Sequence, residues 1–246
     1  MKISTTRRQC VMVLAAGAAS STILSAQFSG LKLPGLGKSG AAAAKVPMNS
    51  GDFIKYLTVA TGLGVQGSLH LTELYPPEAI SEIKALSEKF NEAQKIRTNE
   101  ETDTTFVKAG SFMMAAMEKL TAEVTSFDEV KRKALGAAHH KITLMMIAEG
   151  FAVLNFPAFI SQLQSDVVTA VTDRSKLALL KKQLQFIVLA STELPKQIKS
   201  AIAVRGVVKK IAAAQKTTLP DDPKPESINT LESLNKATAE DLPAAG

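Results

Sequence analysis

The chain has 246 residues, of which 46% are hydrophobic, 21% charged and 5% aromatic, with 14 Gly and 10 Pro. That apolar share supports a buried core, and the low Gly and Pro counts exclude a collagen-like or proline-rich fibre. The sole cysteine, Cys10, excludes a disulfide framework, a zinc-thiolate site, an attached haem c and a cysteine nucleophile. The net charge of +6 is unevenly spread. Residues 1–51 carry six bases and no acid, 52–172 are net −4, 173–216 are net +8, and 217–246 are net −4. A basic stretch followed by an acidic tail points to an anionic partner or to self-masking by the tail.

The opening residues read as an address. Lys2, Arg7 and Arg8 precede an uncharged run from Val11 to Leu24, and Leu24-Ser25-Ala26 is a small-residue cleavage site. Residues 1–26 are therefore expected to be a secretory signal peptide directing the chain to a bacterial periplasm. Thr6-Arg7-Arg8-Gln9-Cys10-Val11-Met12 resembles a twin-arginine export signal, although Cys10 stands where an aromatic is usual and Met12 where lysine is frequent. An ordinary secretory signal fits the same residues. If uncleaved, the segment would be a membrane anchor, but it falls short of the ~20 apolar residues that a comfortable span needs. Residues 27–50, rich in Gly and Ala, read as a flexible spacer.

Residues 51–216 read as one helical domain. Phe53, Leu57, Ala60, Gly64, Gly67, Leu71 and Leu74 recur every three to four places until Pro76-Pro77. Ala79 to Ala93, Phe106 to Val124 and Leu135 to Met145 repeat the pattern, and each such stripe needs a neighbour to bury it. Thr98-x-x-Glu101 and Ser126-x-x-Glu129 are capping boxes, and Asp52 and Asp173 are further N-cap candidates. Residues 142–164 carry one charge, Glu149, and approach membrane length; they read as a core helix pair bent at Pro157, with a re-entrant or membrane-inserting segment as the alternative. The last helix repeats apolar residues from Leu177 to Val208 in a coiled-coil-like seam, internal or between two chains, with a kink or break expected near Pro195. The expected architecture is an all-α bundle of five to six helices, followed by an acidic disordered tail over 217–246 with at most a weak helical turn near Leu231–Leu234.

Three functional readings follow. Lys181, Lys182, Lys199, Arg205, Lys209 and Lys210 punctuate the last helix, as expected of an envelope protein meeting a protein partner or anionic membrane through that face. Nucleic acid is not expected, since base-stacking aromatics are missing there apart from Phe186. His139 and His140, with Met113 and Met117 on another helix, are the residue types that hold haem iron or copper in a bundle. An enzyme of unrecognised type is the third: the chain has no G-x-S-x-G elbow and no H-E-x-x-H helix. Gly62-x-Gly64-x-x-Gly67 resembles a dinucleotide fingerprint but lacks the surrounding βαβ unit, so it reads better as a small-residue helix face.

Overall fold

The computed structural model describes residues 48–96, 104–120, 124, 127–170, 173–224 and 228–239. The expected signal peptide and the spacer up to residue 47 lie outside the described residues. The described residues form helices and no strand: α1 (Ser50–Thr72), a 3-10 turn (Pro77–Ile80), α2 (Ser81–Ile96), α3 (Thr104–Glu118), α4 (Glu129–Thr169), α5 (Arg174–Ala214) and α6 (Leu231–Ala239). The all-α bundle expected from the apolar period is the observed fold.

Local signals set the helix starts. Asn49, not Asp52, caps α1: its Oδ1 accepts from the Asp52 N–H, and Asp52 falls in the first turn, where a carboxylate complements the helix dipole. Asp128 caps α4 through the Lys131 N–H, and Asp173 caps α5 through the Ser175 and Lys176 N–H groups. The Thr98-x-x-Glu101 box lies outside the described residues; the Ser126-x-x-Glu129 box is not the start of α4, because Asp128 caps that helix and Glu129 is its first residue.

α1 and α4 form the centre. Phe53 meets Phe156 with ring centroids 5.5 Å apart at 78°, while a Cβ on Gly67 would stand 2.7 Å from Ile142 Cγ1. The two helices therefore run antiparallel. That Cβ would also stand 3.2 Å from the Ile142 nitrogen and 3.3 Å from the Ala138 oxygen, so the backbones approach as closely as glycine allows. A Cβ on Gly64 would meet Met145 Sδ at 2.3 Å. The glycine triplet thus lies inside a helix and serves packing, as the small-residue reading expects. Gly62 differs: nothing stands within 4 Å of its Cβ position. α5 packs on α3 and α4, and α2 closes over α3.

Two prolines act unequally. The limbs Glu129–Phe156 and Ala158–Thr169 stand at 50°, so Pro157 bends α4 without ending it. Helix α5 runs through Pro195 without the expected break. Leu194 and Ile198 on either side are fully buried, and that packing holds the helix across the one backbone bond that proline cannot make. The Leu177–Val208 seam is used inside the chain: Leu180, Ile187, Leu194, Ala201 and Val208 are buried against the bundle.

The tail departs most from expectation. Residues 217–224 form an extended arm, and α6 beyond it packs on α1. Ile228 and Leu234 are fully buried, and the Tyr56 hydroxyl, itself in the core, donates to the Ile228 carbonyl at 2.7 Å. Lys141 Nζ donates to the Thr238 carbonyl at 2.9 Å. Composition averages over an acidic, proline-rich stretch and hides these few anchors. Each fully buried aliphatic side chain contributes roughly 1.5–3 kcal/mol, enough to dock a short helix that would not form alone.

Gly67→Ala should lower stability by about 1–2 kcal/mol, because overpacking against fixed backbone outweighs the gain in helix propensity. Gly62→Ala should raise stability by up to about 1 kcal/mol, since only propensity changes there. Urea unfolding of the two variants beside the parent checks both signs.

Candidate functional site

The basic residues of α5 divide into two groups. Lys181, Lys182, Lys199, Lys209 and Lys210 are exposed, whereas Arg205 is buried. At about 100° per residue, Lys181, Lys196, Lys199 and Lys210 fall within an arc of about 60°, and Lys182 and Lys209 flank it. Exposed Gln185, Thr192 and Gly206 and half-buried Ala203 lie on the same side, with one large apolar residue, Val188, at 45% exposure. The stripe from residue 181 to 210 is about 44 Å long at 1.5 Å per residue. Lys196 forms a surface ion pair with Glu193 at 2.8 Å. The face is therefore a row of aliphatic stems ending in ammonium groups, the form that meets a diffuse anionic surface.

Arg205 occupies a seam position, and burial there overrides its charge. Its Nε donates to Thr143 Oγ1 on α4 at 3.2 Å. Its Nη2 donates to both Asp222 oxygens, 2.6 Å from Oδ1. The same Oδ1 lies 3.1 Å from His139 Nε2. A carboxylate only accepts, so the neutral imidazole carries its proton on Nε2. Burial foremost, then the charge of Arg205, lowers the His139 pKa against the pull of Asp222. Burial raises the Asp222 pKa, but the hydrogen bonds and charge of Arg205 outweigh it, leaving the carboxyl below its ordinary range. At neutral pH the network is Arg205 cation, Asp222 anion and neutral His139.

The other candidate ligands lie apart from this arrangement in role. Met113 and Met117 are buried core residues of α3, and His140 is half-buried on α4. His139 is turned to Asp222 and Arg205, leaving only its buried Nδ1 without a hydrogen-bond partner. Among the described residues no group of three or more His, Cys, Asp or Glu side chains is placed to share a metal ion.

Two groups escape any reading based on spacing. Asp222 belongs to no motif; only the opposite charge of tail and helix hinted at its partner. Glu149 was visible as the one charge in an apolar run. It is fully buried in α4, and neither carboxyl oxygen has a hydrogen-bond partner. Burial raises its pKa well above the ordinary carboxyl value, which keeps the acid neutral. No single helix among the described residues is long and apolar enough to cross a membrane. The two limbs of α4 pass that test only together, and residues 142–150 are all buried within the bundle.

Comparison with family models, curated proteins and solved structures finds no match to this chain.

Glu149 dictates a pH response. Its folded pKa is raised, so its favourable contribution is complete below the unfolded value of about 4.3 and is lost as pH rises through the folded value. Within that window each pH unit costs up to about 1.4 kcal/mol. Glu149→Gln should remove this slope, so thermal melts at stepped pH should diverge from the parent increasingly toward alkaline pH. Parallel melting curves across the range would contradict the assignment.

Proposed function

We propose that this chain is a non-enzymatic, exported envelope protein that docks on an anionic surface, membrane or protein, through the lysine stripe of α5. The observation that supports the reading is the segregation on that helix: Lys181, Lys196, Lys199 and Lys210 share one solvent face, while Arg205 is withdrawn and neutralised inside. A bundle helix with randomly solvated charge would mix signs, yet residues 173–216 carry ten bases and two acids. One of those acids, Asp173, is occupied as an N-cap. Near an anionic membrane each lysine contributes about 1 kcal/mol, and the six basic side chains on and beside the stripe suffice for salt-sensitive binding without insertion. Periplasmic placement rests on the residue pattern of positions 1–26.

The haem or copper reading finds less support. His139 would have to release Asp222 or use its buried Nδ1, and neither gives an open coordination position. A visible absorption band or bound copper in protein purified from the periplasm would restore that reading.

The test is co-sedimentation with vesicles containing phosphatidylglycerol. Changing Lys181, Lys199 and Lys210 together to Glu should weaken binding at least about tenfold, and raised salt should abolish what remains. Changing Lys55, Lys84 and Lys89 to Glu alters net charge equally on other helices and should leave most binding intact. Equal loss in both triple variants would show that net charge, and not the stripe, governs binding.

A further inference from the structure

Arg205 is held from behind and satisfied from the front. Thr143, fully buried on α4, accepts from Nε and fixes the plane of the guanidinium. The Nη2 edge and the His139 Nε2–H then converge on a single acceptor, the carboxylate of Asp222. The side chains of Arg205 and His139 are 9% and 3% exposed, but that of Asp222 is 46% exposed. The carboxylate therefore stands between these donors and the solvent. It is carried by the arm 217–224, which has no regular structure and holds Pro220 and Pro223.

We propose that the cradle of Arg205, His139 and Thr143 is a binding site for a phosphate group, and that Asp222 fills it as the chain's own displaceable stand-in. The inference goes beyond the reading of α5 as a face for anionic surfaces: Arg205 lies about 120–140° round the helix from Lys181, Lys199 and Lys210, so the cradle is a separate site on the side of the arm. A phosphomonoester offers three terminal oxygens in place of two, so two meet the guanidinium and one the imidazole N–H. It also matches the charge better. The charged groups acting on His139 are Arg205, Asp222 and Lys209, which leave one positive charge uncompensated. A group carrying about −1.5 to −2 charges balances both bases.

Regulation follows from tethering. Asp222 competes at the high effective concentration of a short linker, so dilute phosphate loses to it, whereas phosphate groups concentrated beside Lys209 do not. Release does not require the tail to leave, because Ile228 and Leu234 keep the segment beyond the arm seated in the core.

Full-length parent and Asp222→Ala are titrated with inorganic phosphate while the Arg205 Nε–H resonance is followed by NMR. The variant should bind phosphate at least about tenfold more tightly than the parent, because the internal competitor is gone, with the shift appearing at Arg205. Equal affinity, or shifts confined to exposed lysines, would overturn the site. The parent alone supplies the second arm, hydrogen exchange of residues 217–224 with phosphatidylcholine vesicles, with vesicles containing phosphatidic acid, or with inorganic phosphate. Faster exchange on phosphatidic acid alone identifies a lipid headgroup as the ligand, and faster exchange in inorganic phosphate identifies the soluble ion. Unchanged exchange in every condition refutes displacement. If the stripe variants sediment like the parent while Asp222→Ala still takes phosphate, the docking surface falls and the phosphate site stands; the converse result separates them the other way.

Discussion

The bundle depends on one close approach, that of α1 to α4 at Gly64 and Gly67. With no side chain at either position, the backbone of α1 comes within van der Waals reach of Ile142 and Ala138, and Met145 fills the space that remains. Hydrogen-bonded helix backbone in such contact excludes water without needing large side chains, which suits a core with only 5% aromatic residues in the whole chain. The antiparallel register fixed there seats Phe53 against Phe156 and leaves the outer side of α4 to α5. The burial of α5 along its seam then determines which of its bases reach solvent.

Charge is sorted by depth. The lysines of α5 keep their ammonium groups in water, while Arg205 lies inside with three oxygen partners from Thr143 and Asp222, consistent with the planar, multidentate donor that guanidinium is. Glu149 is the opposite solution: an acid with no partner, kept by protonation. The first arrangement stabilises through pairing. The second is tolerated only where the neutral form is accessible, and it makes the core the part of the molecule that is weakened by rising pH.

Much of the helical layout was legible because apolar period is a direct record of a buried face. The stripes from Phe53 to Leu74 and from Leu177 to Val208 correspond to α1 and α5, and the glycine triplet lacked the strand that a nucleotide fold requires. What periodicity could not read was non-periodic. Arg205 belonged at once to the seam and to the roll of bases, and no rule of spacing says which wins; its burial depends on Asp222, seventeen residues away on an arm. The tail was misjudged for the same reason, since Ile228 and Leu234 are two anchors in a polar stretch. At Pro195 the helix continues where a kink or break was expected, so buried Leu194 and Ile198 on either side override the break.

The clasp between Tyr56 and Ile228 joins the first helix of the bundle to the segment before its last. A chain emerging from the ribosome amino end first exposes the groove on α1 long before residue 228 exists to cover it. Until the segment carrying Ile228 has been made, the Tyr56 hydroxyl lacks the carbonyl that satisfies it, and the apolar surface of α1 around it stays uncovered.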